Sequence, residues 1–149
     1  MPARLHATRV QHWHMTWTLK GAGEFELPSG RRLRGRRISA PMYETPDWGL
    51  YLGWREPQII RPHQWIRWPD FGLPVDHSAA RGALAEAWER SAVQRVEVGC
   101  GGGRGRTGTA LAAIAMLGGL DRDEAVQWVR ARYDPHAVET PWQHWWLSR

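Results

Sequence analysis

One cysteine stands in 149 residues, so no internal disulfide can form and the fold has to be held by its core. A lone thiol fits a reducing compartment, and the chain is expected to be cytoplasmic. No apolar run approaches the ~20 residues that a membrane span requires. The stretch Met1 to Thr8 lacks the apolar segment of a secretion signal. Metal-ligand patterns are missing as well. His6, His12 and His14 lie close together, but no cysteine or carboxylate spacing completes a site, so no metal or organic cofactor is expected. Internal repeats, linkers and low-complexity tracts are absent, and residues 1–149 are expected to form one domain.

What is present begins with a hydrophobic content of 42%, which belongs to a globular chain rather than a disordered one. Eleven tryptophans are more than this length would ordinarily carry, and core or rim packing is their expected role, including that of the cluster Trp142, Trp145 and Trp146. The formal charge is +5, which favours an acidic partner or substrate. Its densest part is Arg31-Arg32-Leu33-Arg34-Gly35-Arg36-Arg37. Short basic runs are usually solvated, so a solvated hairpin is expected there. Contact with nucleic acid or anionic lipid, and steering of phosphorylated substrates, are the alternatives.

Residues 13–39 read as short strands and turns, with Met15 to Leu19 alternating like a strand and Pro28-Ser29-Gly30 as a turn. Leu50-Tyr51-Leu52 and Trp65 to Trp68 are further strand candidates. A helix is expected from His77 to Ser91 behind Asp76 as N-cap, and a strand over Val93 to Val98 with Val93, Val96 and Val98 as its apolar positions. An Ala-rich helix from Thr107 to Leu117 stops at Gly118-Gly119. The pair Asp121 and Glu124 forms a capping-box pattern before a helix reaching Tyr133, with Ala125, Trp128, Val129 and Arg132 turned inward. Pro141 suits the first turn of a short last helix. Strands early, followed by strand–helix units, predict an α/β fold with a mostly parallel central sheet flanked by helices. A ligand is then expected at the carboxyl end of the Val93–Val98 strand.

That strand end carries Cys100-Gly101-Gly102-Gly103-Arg104-Gly105-Arg106-Thr107. Glycines at 101, 102, 103 and 105 allow positive φ, so that successive N–H groups of the loop can turn inward. A nest of amides at a helix N-terminus binds anions, and its field favours a thiolate at Cys100. The planar fork of Arg106 can hold two oxygens of a phosphoryl group, which a lysine could not do. Thr107 can donate its hydroxyl to the sulfur, and Arg104 is expected to point outward. A nucleotide P-loop would require Lys followed by Ser or Thr, which this loop lacks. Thirty residues upstream, Trp68-Pro69-Asp70-Phe71-Gly72-Leu73-Pro74 presents the Asp70 carboxylate on a loop stiffened by two prolines. A nucleophile, an oxyanion clamp and a proton donor are thus all present.

Cys100-x5-Arg106-Thr107 resembles the signature loop of the cysteine-dependent protein tyrosine phosphatase superfamily, and Trp68-Pro69-Asp70 resembles its mobile acid loop. Val138-Glu139-Thr140-Pro141-Trp142-Gln143 is similar to the family's glutamine-containing loop. The resemblance runs from about Gly49 to Trp146. It implies hydrolysis of phosphate monoesters, with phosphotyrosine in a protein as the first substrate and dual specificity as an extension. Cys100 would be the nucleophile, and Arg106 with the loop from Gly101 to Gly105 the phosphate cradle. Asp70 would be the acid, Thr107 the aid to thiolate departure, and Gln143 the holder of the hydrolytic water. Two positions depart from the pattern: Gly99 replaces the histidine that usually precedes the cysteine, and Glu139 stands where phosphotyrosine-specific members often have glutamine. Tyr43, Trp48 and Tyr51 are candidates for stacking on a phosphotyrosine ring. A phosphate-binding module without turnover, and a phosphoinositide or RNA 5′-phosphatase on the same scaffold, are the other readings.

Overall fold

The computed structural model describes residues 15–42 and 44–149. The histidines at 6, 12 and 14 and Tyr43 lie outside the described residues. Five strands, β1 (Glu24–Glu26), β2 (Arg32–Arg37), β3 (Trp48–Gly53), β4 (His63–Arg67) and β5 (Val96–Cys100), form one sheet in the order β1-β2-β5-β3-β4. Only the β1–β2 pair is antiparallel. The helices among the described residues are α1 (His77–Arg90), α2 (Gly105–Leu117), α3 (Arg122–Arg132) and α4 (Pro141–Trp146). This is the predicted α/β architecture, with β5 central and its carboxyl end leading directly into α2.

Local chemistry sets the helix starts. The Asp76 carboxylate accepts the Ala79 N–H, and α1 buries Ala80, Ala83, Leu84 and Ala87. Asp121 with Glu124, and Thr140 with Gln143, both close capping boxes, and Pro141 occupies the first turn of α4. Helix α2 is buried along nearly its whole length, which its alanines and Gly108 permit: a Cβ on Gly108 would lie 2.4 Å from the Ala137 methyl.

Side chains alternate across the sheet. Val96, Val98 and Cys100 of β5 join Leu33, Leu50, Leu52 and the helices in a single hydrophobic core. Glu97 and Gly99 therefore face the other side, beside Arg34, Arg36 and Tyr51 on the neighbouring strands. Three expectations change here. Met15 to Leu19 is not a strand; Trp17 instead plugs that second face, donating its indole N–H to the Val96 carbonyl at 2.9 Å with the Arg34 guanidinium 4.0 Å from its ring. Val93 belongs to a turn, and the strand begins at Val96. In α3 Ala125, Val126 and Val129 are buried and Trp128 packs partly buried against the core, while Arg132 is exposed and lies over the Trp128 ring.

The basic run is a hairpin arm but not a solvated one. Leu33, Arg34 and Gly35 are buried, because β2 is an inner strand. Glu97, fully buried, accepts from Arg36 Nε at 2.6 Å and from Tyr51 Oη at 2.7 Å, with Arg34 Nη2 at 2.7 Å. Burial by itself pushes the Glu97 carboxyl pKa up. The Arg36 hydrogen bond, the Arg34 charge and the Tyr51 hydrogen bond outweigh it and hold the group below the usual carboxylate range.

This cluster sets an acid dependence. With the folded pKa below the unfolded value of 4.5, the unfolded chain takes up the proton first. The stabilisation is complete above that value and is lost as the pH falls through the folded one. Glu97→Gln is expected to destabilise the fold by about 3–5 kcal/mol, the usual effect of stripping one partner from a buried ion pair. It should also flatten the acid limb of stability against pH, read by urea unfolding between pH 3 and 7.

Candidate active site

Cys100 closes β5 with its side chain on the core face, almost fully buried. Its sulfur accepts the Gly103 N–H at 3.1 Å, so the loop curls back over the thiol. Among the four loop glycines only Gly103 has the left-handed backbone, with φ +70°. A Cβ there would lie 2.7 Å from the Arg37 nitrogen, so both conformation and space demand glycine. Gly101, Gly102 and Gly105 do not adopt the expected positive φ. Gly101 makes room for the Arg106 guanidinium, and Gly105 for the Glu139 carboxylate, whose Oε1 lies 2.4 Å from where a Cβ would be. Gly102 faces open space.

The loop ends at α2, whose N-cap residue Arg104 provides no side-chain cap. The first N–H groups of this helix stay available to an anion. The Arg104 side chain is exposed, 3.8 Å from Asp134. Arg106 is buried; its Nη1 donates to the Trp68 carbonyl at 3.0 Å and its Nη2 lies 3.5 Å from Asp70 Oδ1. The remaining Nε is buried and has no protein hydrogen-bond partner among the described residues. The Thr107 hydroxyl is likewise buried without a partner. It makes no hydrogen bond to the Cys100 sulfur, which takes its hydrogen bond from the Gly103 amide instead.

The acid-bearing loop is folded onto this cradle. The Trp68 indole is fully buried and donates to the Gly72 carbonyl at 2.7 Å, while the Gly72 N–H returns to the Pro69 carbonyl. The turn brings Phe71 to φ 58° and leaves Asp70 two-thirds exposed at the mouth, next to Arg106. Helix α4 holds the same loop from the other side. Trp142 donates to the Phe71 carbonyl at 2.5 Å and Gln143 Nε2 to the Gly72 carbonyl at 3.2 Å. Gln143 is fully buried, and its Oε1 accepts the Glu139 and Thr140 N–H groups. In this arrangement Gln143 caps α4 and ties it to the acid loop. Trp146 is core, whereas Trp142 and Trp145 are half-exposed.

Several residues around the site carried no motif. Glu97, Arg34, Arg36 and Tyr51 lie behind the signature loop, and Tyr133 donates its hydroxyl to the Gly103 carbonyl at 2.5 Å. A charge at 97 inside an apolar strand was the available signal; nothing in the sequence pairs Tyr133 with position 103. Trp48 and Tyr51 are buried in the sheet rather than presented to a ligand ring. Burial, then Glu97, pushes the Tyr51 hydroxyl up to about 12, so it stays a donor. Its ring crosses Gly99: a Cβ there would meet the Arg36 carbonyl oxygen at 3.0 Å and the Ile38 and Tyr51 side chains at 3.3 Å. Gly99 is thus dictated by close approach and not by its backbone angle.

A buried thiol under an amide, a buried arginine and an aspartate on an adjoining loop thus lie at the carboxyl end of a mostly parallel sheet. The protein-tyrosine phosphatase family profile matches residues 44–133, and the chain belongs to that family. The structure of Tk-PTP, a crystal structure in the active form, superposes with a TM-score of 0.61 at 29% identity, covering 69% of this chain and 76% of that one. No curated protein sequence matches.

The packing at 99 makes a direct prediction. Restoring the histidine usual in the family, Gly99→His, is expected to lower stability by about 1–3 kcal/mol, as overpacking does, and to reduce turnover. Thermal unfolding and initial rates on para-nitrophenyl phosphate measure both; a variant as stable and active as the parent would show that Tyr51 and Ile38 yield freely.

Proposed function

We propose that the chain hydrolyses protein phosphotyrosine, with dual specificity as an extension, through a cysteinyl-phosphate intermediate. The observation that carries this reading is Arg106, buried behind the Cys100 loop with Asp70 3.5 Å from its Nη2 and with an Nε that has no partner among the described residues. The Cys100 thiolate attacks phosphorus in line and the ester oxygen leaves. Arg106 and the amides of residues 101–106 take the equatorial oxygens, where positioning and charge stabilisation dominate. Asp70 gives its proton to the leaving oxygen and later receives one from the attacking water. That water cleaves the S–P bond, returning the thiolate and releasing inorganic phosphate. Thr107, one residue beyond Arg106, aids that departure by turning its free hydroxyl to the sulfur. Gln143 contributes to the second step by holding the acid loop, and through it Asp70, over the water. A free thiol nucleophile suits a reducing compartment such as the cytoplasm. Among the described residues no helix is long and apolar enough to cross a membrane.

Cys100→Ser is expected to abolish turnover while retaining phosphate binding, because a serine hydroxyl does not ionise there. Rates within a few-fold of the parent would overturn the covalent route. Asp70→Ala should slow a phosphotyrosine peptide by roughly two to four orders of magnitude, and an aryl phosphate with a strongly acidic phenol much less. Orthovanadate should inhibit and EDTA should not. Phosphoinositide and RNA 5′-phosphate panels, run alongside, measure the competing substrate classes.

A further inference from the structure

The geometry points to Tyr133 as a positioning residue of the signature loop: by holding the Gly103 carbonyl it aims the Arg104 amide N–H into the anion cradle. A trans peptide fixes its C=O and N–H in opposite directions, and none of the described peptides is cis. The Tyr133 hydroxyl, at the C-cap of α3, donates to the Gly103 oxygen from the β2 side of the loop. The N–H of that same peptide unit, which belongs to Arg104, therefore points away from Tyr133. The preceding unit already turns the Gly103 N–H onto the Cys100 sulfur. Gly103, at φ +70°, is the joint between the two units, and glycine is the residue for which rotation there costs least. An external tether is what selects one orientation of the second unit.

The sheet is cut to admit that tether. Gly35 of β2 shares the core face with Cys100, and a Cβ on it would lie 2.4 Å from the Tyr133 ring. The ring packs on Phe25 beyond it. Burial, and next the charge of Cys100, pushes the Tyr133 hydroxyl well above the ordinary tyrosine range, so it remains a donor through neutral and alkaline pH. The helix end, the notch at Gly35 and the left-handed Gly103 thus form one device, which holds an amide for the equatorial oxygens. Tyr133 and Gly35 act only through the loop: the amide on the Cys100 sulfur is that of Gly103.

This inference rests on the phosphatase reading but is tested separately from it. Tyr133→Phe keeps the ring and removes only the hydroxyl. Calorimetric binding of orthovanadate is expected to weaken by roughly three- to tenfold, the value of one net hydrogen bond, and kcat/KM for para-nitrophenyl phosphate to fall by a similar factor. The melting temperature should stay within a few degrees of the parent. Gly35→Ala, which closes the notch, should reproduce the loss, and the double variant should be no worse than the weaker single one. Orthovanadate affinity within twofold of the parent in Tyr133→Phe would overturn the assignment. So would a loss that merely follows the fraction of unfolded protein. If the parent itself shows no turnover, the phosphatase reading fails, and the orthovanadate titration still decides the role of Tyr133.

Discussion

Glu97 places a full negative charge inside the sheet, three positions before Cys100, and much of the structure is arranged around it. A buried carboxylate is tolerable only when its charge is matched and its lone pairs are filled. Arg34 and Arg36 come from one neighbouring strand and Tyr51 from the other, so the cluster spans β2, β5 and β3. Register error in any of the three strands would strand a charge. The cluster therefore fixes where β5 ends relative to its neighbours, and with it the position of Cys100. Arg36 also donates to the carbonyls of Ile38 and Ala40, and Arg34 to that of Glu44, which fastens the connection beyond β2 over the same face.

On the core face the demands are those of space. Tyr133 reaches the loop because Gly35 has no side chain, while on the opposite face Tyr51 lies flat because Gly49 and Gly99 have none. The histidine usual before the cysteine is replaced by an arrangement in which the bulk comes from the adjacent strand. Loop rigidity then comes from neighbours: Arg37 backbone beneath Gly103, Tyr133 on its carbonyl, and the acid loop across Arg106.

The acid loop and α4 behave as one unit. Trp68, Gly72, Trp142 and Gln143 are joined by hydrogen bonds, and Arg106 reaches into the same unit through the Trp68 carbonyl. Arg106 is thereby tied to the same loop that brings Asp70 to the mouth.

The alternation in β5, the capping patterns at Asp76, Asp121 and Thr140, and the Cys100 to Arg106 spacing are local properties, and the sequence by itself determined them. Helix starts, the strand–loop–helix order and the family follow from neighbouring residues along the chain. What lies across the chain was not legible. An arginine-rich segment reads as solvated because solvation is the ordinary fate of such charge; only the pairing of β2 with β5 supplied the buried carboxylate that draws Arg34 and Arg36 inward. Met15 to Leu19 alternates like a strand, yet it joins no sheet among the described residues, and Trp17 packs as a plug whose indole N–H is held by the Val96 carbonyl. Gly99, Gly35 and Tyr133 carry meaning only through what approaches them in space, since a missing side chain says nothing until the ring that fills its place is known.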